Sequence, residues 1–142
     1  MLLQFYNADH FARPDIDEVF VFGSNDLGVH GDGAALAARR YYGAKLGQGS
    51  GIQGRSYGIV TRRVIPFQPG QKKTELETLT LDQIAEEVEK FINFTIERTD
   101  LRFLVTPIGT GKAGYENKDI APMFRGAKNC RFPDTWITFL TR

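Results

Sequence analysis

A short apolar run, a glycine-rich loop and a run of helix-forming residues follow one another early in this chain, and together they constrain its fold most. Residues 18–33 read EVFVFGSNDLGVHGDG, and AALAARRYYG follows directly. The apolar residues 19–22 predict a buried strand, and residues 32–42 predict a helix that stops at Gly43. A strand, a glycine loop and a helix in this order place free backbone N–H groups at the carboxyl edge of a sheet, where an anion can bind.

The size and charge of the chain favour one domain without a broad nucleic-acid-binding surface. The chain has 142 residues, of which 42% are hydrophobic, and this length fits a single domain. Lys and Arg number 18 against 17 for Asp and Glu, so the sequence carries no global basic field of the kind that attracts nucleic acids. Direct nucleic-acid binding is therefore not expected. A local site remains the alternative, built from Arg39, Arg40, Arg55, Arg62, Arg63, Lys72 and Lys73.

The single cysteine and the short apolar runs indicate the cellular compartment of the protein. Cys130 alone cannot form an internal disulfide or a cysteine-built zinc site, and it fits a reducing compartment. The two histidines are isolated and lack the spacing of metal ligands, so the sequence predicts no metal and no cofactor. The first residues do not match a secretion signal, and no apolar run is long enough to span a membrane. We expect a cytoplasmic protein without a membrane partner.

The other segments alternate between strand and helix patterns, which is typical of a layered α/β domain. Thr80 and Gln83 have the spacing of a capping box, and the apolar residues that follow recur on one helical face. The first helix is expected to bury Ala35, Ala38, Tyr41 and Tyr42. Further strands are predicted at residues 2–6, 56–62, 101–105 and 136–140, and a short helix at 121–124 is predicted to be capped by Asn117 or Asp119.

Glycines recur through residues 43–58, GAKLGQGSGIQGRSYG. Ordering so many glycines costs entropy, so this segment is either a mobile flap or backbone forced into close approach with something. Residues 49–56 nearly match a phosphate-binding P-loop, but Arg55 replaces the lysine and a strand pattern follows instead of a helix. The sequence therefore disfavours an ATPase.

A second glycine loop follows the predicted strand at residues 101–105. It reads TPIGTGKAGY and is followed by ENKD, and consecutive N–H groups at Gly109, Thr110 and Gly111 suit a phosphate. In an open α/β sheet this second glycine loop (residues 106–115) and the first glycine loop (residues 23–33) open on the same carboxyl edge. Two anion-binding loops on one edge predict a diphosphate ligand.

The two loops resemble those of the macro domains, a family that binds ADP-ribose. The block VFVFGSNDLGVHGDGAALAARRYYGA is similar to the strand, asparagine, glycine loop and helix of that family, and LRFLVTPIGTGKAGYENKDIA is similar to its diphosphate-binding loop. The subclass of terminal ADP-ribose glycohydrolases is the nearest, and the compact form resembles macro-like proteins of phages and prophages. The resemblance implies a single domain over residues 1–142, a three-layer α/β/α sandwich with a central mixed sheet, and a location in the host cytoplasm if a phage encodes the chain.

The resemblance also implies how ADP-ribose is held. Asn25 contacts the distal ribose, the first loop lies against the ribose and phosphate, the second loop cradles the diphosphate, and Tyr115 covers the distal ribose or the loop. Sugar hydroxyls suit an amide, and phosphates suit N–H groups. From the residues alone, Asn25 could instead form a turn, and Tyr115 could pack in the core. The implied ligand-binding residues are Gly23, Ser24, Asn25, Gly31, Gly33, Ile108, Gly109, Thr110, Gly111, Lys112, Ala113, Gly114 and Tyr115.

This sequence lacks the catalytic residues of the nearest subclass at the equivalent positions. Lys112 and Ala113 stand where that subclass has an aspartate, and Arg62 or Arg63 stands in place of its lysine. A guanidinium stays protonated and cannot act as a nucleophilic amine. Asp32 resembles an aspartate in the glycine loop of another macro subclass and is the candidate acid or base, with helix capping as its alternative role.

Several functions remain open at this point. The first is an enzyme that removes ADP-ribose from protein or nucleic acid, and the second is a non-catalytic module that binds ADP-ribose or an NAD metabolite. His30, a second catalytic candidate, could act with Asp32 in an ADP-ribose 1″-phosphate phosphatase. The expected partner is ADP-ribose or an ADP-ribosylated macromolecule, and the sequence leaves the oligomeric state open.

Overall fold

A computed structural model describes residues 3–9 and 13–141, and within them it contains one sheet of seven strands. The strands are β1 (Gln4–Tyr6), β2 (Glu18–Asn25), β3 (Gly51–Gln53), β4 (Ser56–Val64), β5 (Leu76–Thr78), β6 (Arg102–Val105) and β7 (Cys130–Pro133). The α-helices are α1 (Gly33–Tyr41), α2 (Leu81–Glu97), α3 (Asn117–Ile120) and α4 (Ile137–Leu140), and 3₁₀ turns span Ala121–Phe124 and Asp134–Trp136. The predicted first strand matches β1, although its first residue, Leu2, lies outside the described residues.

The sheet is mixed, as the sequence predicts. Its strand order is β1-β7-β6-β2-β4-β3, and β5 also pairs with β4. Strand β2 is parallel to both β4 and β6, whereas β3 and β5 run antiparallel to β4. Strands β2, β4 and β6 therefore end at the same edge of the sheet, and the loops that follow β2 and β6 lie side by side.

Alternating residues of β2 belong to two separate cores. Val19 and Val21 pack in the larger core with α2, while Phe20 and Phe22 pack in a smaller core with the alanines of α1. Because successive side chains of a strand point to opposite faces of the sheet, helices cover both faces. The predicted three-layer α/β/α sandwich is confirmed.

Helix α2 begins where the capping-box pattern predicts. The Thr80 hydroxyl accepts a hydrogen bond from the Gln83 N–H at 3.2 Å, and the Gln83 side chain accepts one from the Thr80 N–H at 2.9 Å. The predicted apolar face is buried at Ile84, Val88 and Phe91. This helix therefore forms one wall of the larger core and carries its charged residues on the solvent side.

Helix α1 buries a face that differs slightly from the prediction. Ala38 is buried as expected, but Tyr41 is 68% exposed and Ala37 is buried instead. The helix ends at Tyr41, and Tyr42 leaves the helical conformation with φ −127°. The Tyr42 ring then stacks on Phe20 with 4.8 Å between centroids. Tyr42 therefore reaches the smaller core from beyond the end of the helix.

Two predictions for the last part of the chain are wrong. The final strand is β7, and residues 136–140 form α4 together with the end of a 3₁₀ turn. Trp136 and Leu140 are both buried four residues apart, which is helical spacing. Helix α3 has Glu116 as its N-cap, in place of either predicted residue, and the short helix predicted at residues 121–124 is present there as a 3₁₀ turn.

The glycine-rich residues 43–58 are packed backbone, which is the second of the two alternatives left by the sequence. A Cβ atom added to Gly43 would lie 3.0 Å from the Gly54 Cα, and one added to Gly49 would lie 2.1 Å from the Asn25 carbonyl oxygen. The segment contains β3 and the start of β4, which form an antiparallel pair. Glycine is needed here because backbone meets backbone.

Neither a membrane-spanning helix nor a metal-binding cluster is found in residues 3–9 and 13–141. The helices in these ranges are too short or too polar to cross a membrane. No group of three or more His, Cys, Asp or Glu side chains there is placed to hold a metal ion.

Candidate functional site

Both glycine loops line one cleft at the carboxyl edge of the sheet. The first follows β2 and the second follows β6, and these neighbouring strands are in parallel register with Val21 opposite Val105. The cleft has a volume of about 800 Å³, which suits a nucleotide-sized ligand. The predicted site residues among its lining are Gly23, Ser24, Asn25, Gly31, Asp32, Gly33, Ile108, Gly109, Gly111, Lys112 and Ala113.

The floor of the cleft is fixed by two threonine hydroxyls. Thr106 donates to the Val21 carbonyl at 2.7 Å, and Thr61 donates to the Ser24 carbonyl at 3.3 Å. These bonds tie the ends of β6 and β4 to β2. The strand ends that lead into the two loops are therefore fixed relative to one another in the ligand-free protein.

The first turn of α1 presents unpaired backbone donors to the cleft. Asp32 has an extended backbone at the N-cap position, and its side chain makes no capping hydrogen bond. The N–H groups of Gly33, Ala34 and Ala35 belong to this first turn, where a helix has no internal acceptors for them, and all three residues line the cleft. This helix end combines free donors with the positive pole of the helix dipole, which favours an anion.

The second glycine loop adds further donors. The N–H groups of Gly109, Thr110 and Gly111 donate to no protein acceptor within the hydrogen-bond network of the described residues. Gly109 has φ +81°, and a Cβ atom there would lie 3.0 Å from the Ile120 Cδ1. This tight turn therefore requires glycine, and two of the residues whose amides lack a protein acceptor, Gly109 and Gly111, line the cleft.

Two glycines of the cleft occupy open space. A Cβ atom on Gly31 would have only the Val29 Cγ1 at 4.0 Å, and one on Gly111 would meet nothing within 4 Å. Neither residue has the left-handed backbone that excludes other residues. The fold therefore does not require glycine at either position, and the free space is available to a ligand.

Asp32 and Lys112 join the two loops by an ion pair. Asp32 comes from the first loop and Lys112 from the second, and their side chains are 61% and 68% exposed. An exposed pair of this kind contributes about 1 kcal/mol or less. The pair therefore lies at the rim of the cleft and can open readily, and the Asp32 carboxylate neither caps α1 nor is buried.

Asn25 holds the first loop in shape. Its side-chain amide donates to the Val29 carbonyl at 2.9 Å, and its side-chain oxygen accepts from the Val29 N–H at 3.2 Å. The turn role and the ligand role are compatible, because an amide retains a second N–H and further acceptor capacity. Replacing Asn25 would disturb the loop itself, so its substitution does not isolate a ligand contact.

The structure places His30 away from the cleft. Its side chain is fully buried, its Nε2 lies 3.0 Å from the Lys45 carbonyl oxygen, and its ring meets Phe22 edge to face at 5.2 Å between centroids. His30 is not among the residues that line the cleft. This position gives no support to an acid or base role for His30.

Thr110, Gly114 and Tyr115 also lie outside the cleft lining. The Thr110 hydroxyl donates to the Pro107 carbonyl at 2.8 Å, and Gly114 closes the loop with a bond from its N–H to the Gly111 carbonyl at 3.0 Å. The Tyr115 hydroxyl donates to the Leu79 carbonyl at 2.7 Å, and its ring packs against the larger core. In this arrangement the ring of Tyr115 is a packing element.

Several cleft residues were not predicted from the sequence. Most are apolar and come from the two glycine loops, α1 and β5, and two come from the end of β4. Thr61 and Arg62 belong to the run VTRR at the end of β4. Because β4 is a parallel neighbour of β2, this run ends at the same edge of the sheet as the first glycine loop, and this was the sequence signal for these two residues. The unpredicted lining residues are Leu27, Val29, Ala34, Ala35, Thr61, Arg62, Thr74, Leu76, Thr106 and Pro107.

Arg62 is the cleft residue with the least satisfied polar group. One of its terminal nitrogens donates to the Leu76 carbonyl at 3.3 Å, but its Nε is buried without a hydrogen-bond partner among the described residues. The neighbouring Arg63 differs, because it is exposed and pairs with Glu77. The half-buried guanidinium of Arg62 is therefore a positive charge in the cleft that no described acidic side chain neutralises.

Comparison with known proteins supports the fold. No protein-family model matches the chain, and no curated protein matches it. A solved structure, a protein of unknown function from Bacteroides thetaiotaomicron, is similar in fold with a TM-score of 0.57 and 17% sequence identity. The similarity covers 94% of this chain and 98% of that one. The arrangement of the sheet and its helices is thus shared along nearly the whole length of both proteins.

Proposed function

We propose that this protein binds ADP-ribose, or a related nucleotide derived from NAD, in the cleft between its two glycine loops. One observation carries the proposal: free N–H groups of α1 and of the second glycine loop border a single cleft. Two sets of donors that face the same space suit the two phosphates of a diphosphate. The resemblance of both loops to the macro domains supports the same ligand.

The remaining surface of the cleft suits the other parts of such a nucleotide. Leu27 and Val29 line the cleft and are 46% and 43% exposed, so they offer an apolar wall to a base. No aromatic side chain lines the cleft within the described residues, and the base would pack on aliphatic groups. The second N–H of the Asn25 amide is available to a ribose hydroxyl.

The exposed Asp32 carboxylate suits hydrolysis of an ADP-ribosyl adduct. In this proposal water adds to the anomeric carbon of the distal ribose while the bond from that carbon to the acceptor breaks. Asp32 takes the proton from the water and returns a proton to the departing acceptor. Lys112 keeps the carboxylate at the rim of the cleft until the ligand enters.

Binding is tested by titrating the purified protein with ADP-ribose in a calorimeter, with AMP and NAD as control ligands. We expect binding that requires the whole ADP-ribose. In the Gly111→Ala variant the added methyl group occupies ligand space without a clash in the free protein, and affinity should fall by about tenfold or more while the thermal stability of the free protein stays unchanged. Asn93→Ala, an exposed position of α2 outside the cleft, serves as the control and should bind normally.

Equal affinity of the wild type and Gly111→Ala, or no heat and no thermal stabilisation at millimolar ligand, would remove the proposal. At a concentration about one hundred times the dissociation constant, a ligand should stabilise the fold by about 2.7 kcal/mol. The absence of both signals would leave a cleft that serves another ligand.

Catalysis is tested by the release of ADP-ribose from ADP-ribosylated protein and nucleic acid. We expect Asp32→Asn to bind ADP-ribose but to lose turnover by about a hundredfold or more. Lys112→Gln breaks the same ion pair and keeps the carboxylate, so it is the matched control. Because Lys112 also lines the cleft, its loss should weaken substrate binding, but turnover at saturating substrate should be retained. Full activity in Asp32→Asn would eliminate its role, and unchanged ligand with the wild type would identify a non-catalytic binding module.

A further inference from the structure

Arg62 differs from the other arginines around it in having a buried, unpartnered donor. Its Nε is removed from solvent and makes no hydrogen bond among the described residues. A buried donor without a partner is costly, and a positive charge adds to this cost. A ligand towards which the side chain turns supplies the missing acceptor and recovers that cost.

The charges of the cleft leave Arg62 unneutralised. The charged residues of the described lining are Asp32, Arg62 and Lys112. Asp32 is engaged with Lys112 across the rim, and Arg62 takes part in no ion pair of the described residues. The cleft therefore has one net positive charge beyond its backbone donors.

The topology separates Arg62 from the second glycine loop. Arg62 lies opposite Asn25 at the end of β4, and the second loop follows β6, on the other side of β2. Two strand spacings, roughly 10 Å, therefore lie between the backbone of Arg62 and the strand that leads into the loop. The Arg62 guanidinium donates to the Leu76 carbonyl of β5, and β5 pairs with β4 on the side away from β2 and from the strands that lead into both glycine loops.

We infer that Arg62 forms a second anion subsite, which binds a phosphate or carboxylate group additional to the diphosphate. The Nε and one terminal nitrogen of a guanidinium form a fork that matches two oxygens of such a group. This inference rests on the proposed function, and it narrows the ligand to a nucleotide that carries a further anionic group at the β4 side of the cleft.

The experiment titrates inorganic phosphate into free protein and into protein saturated with ADP-ribose, with phosphorus NMR as the readout. The variants are Arg62→Gln, Arg62→Lys and the control Arg63→Gln, whose side chain pairs with Glu77 outside the cleft. In the saturated wild type and in Arg63→Gln phosphate should still bind. In Arg62→Gln its affinity should fall by about tenfold or more, and Arg62→Lys should lie between, because an ammonium cannot form the fork.

Two results would overturn the second subsite. ADP-ribose could displace phosphate completely from the wild type, which would show that both occupy the same donors. Alternatively, Arg62→Gln could bind phosphate as tightly as the wild type, with normal thermal stability. If ADP-ribose does not bind at all, the proposed function fails, but the titration of free protein with phosphate still tests the second subsite. Loss of phosphate binding in Arg62→Gln supports the subsite, and unchanged phosphate binding refutes it.

Discussion

Gly49 shows at the scale of one residue why the glycines of this chain serve different purposes. Its backbone lies directly against the Asn25 carbonyl oxygen, where an added Cβ atom would be only 2.1 Å away. Gly111 has open space at the same position of its side chain. The first is required for packing, whereas the second leaves room in the cleft.

We therefore expect opposite effects of the same substitution at these two positions. Gly49→Ala forces backbone apart and should lower the free energy of unfolding by about 1–3 kcal/mol or prevent folding. Gly111→Ala should change it by less than about 0.5 kcal/mol. Urea denaturation followed by circular dichroism measures both, and a Gly49→Ala protein as stable as Gly111→Ala would contradict the close contact.

The residue scale also shows what sequence reasoning can detect around the site. The sequence predicts both glycine loops at one edge of the sheet because each loop directly follows a strongly apolar strand, and residues of both loops, Asp32 among them, line the cleft at that edge. The sequence left the role of Tyr115 open between ligand contact and packing. Its hydroxyl bonds to Leu79, which is 36 positions away in sequence, and only the fold brings the two together. The same holds for the buried Nε of Arg62, because only the folded structure defines its surroundings.

At the scale of elements, an ion pair ties the start of β2 to β7. Glu18 is 1% exposed, and its carboxylate accepts hydrogen bonds from Arg131 at 2.6 and 2.7 Å and from the Asp15 N–H at 2.7 Å. Burial alone raises the pKa of Glu18, but the hydrogen bonds from Arg131 and Asp15 outweigh it and hold that pKa below its usual 4.5. The two strands lie on opposite sides of β6, so the pair bridges across that strand.

The lowered pKa of Glu18 predicts a loss of stability in acid. Its contribution is present above the unfolded pKa, near 4.5, and is lost as the pH falls through the lower folded value. Arg131→Met leaves a buried carboxylate without its partner and should cost about 3–5 kcal/mol near pH 7. The difference from the wild type should shrink towards pH 3, because protonation removes the unpaired charge.

Urea denaturation at several pH values measures this effect. Arg98→Met is the matched control, since Arg98 pairs with Asp100 on the exposed surface at 2.9 Å and should contribute about 1 kcal/mol or less. An Arg131→Met deficit that stays constant from neutral pH to about pH 3 would show that lost packing, rather than the ion pair, is responsible.

Elements with strong local patterns were predicted from the sequence, and those that depend on distant partners were not. The capping box and the apolar spacing defined α2, and apolar runs defined β2 and β6. Strands β3 and β5 have three residues each and form only because β4 offers them an edge. Residues 136–140 are apolar and aromatic, which is compatible with either state, and their packing against the core selects the helix.

At the scale of the whole molecule, the sheet carries the core and the site on the same strands. Strand β2 lies between β6 and β4, contributes to both cores through Val19 to Phe22, and ends in the first glycine loop. The layered α/β class followed from the alternation of strand and helix patterns, and the three-layer sandwich was implied by the resemblance to the macro domains. The strand order did not, because it depends on contacts between segments that are far apart in sequence.

The exposed ion pair between Asp32 and Lys112 does not act as a gate of the cleft. Both side chains lie in water, so their rotamers change within nanoseconds, and dissolved salt weakens their attraction. A contact this brief does not delay entry or exit of a small molecule. Residence time in this cleft is therefore governed by the donors beneath the rim, and only entry proceeds at the rate of diffusion.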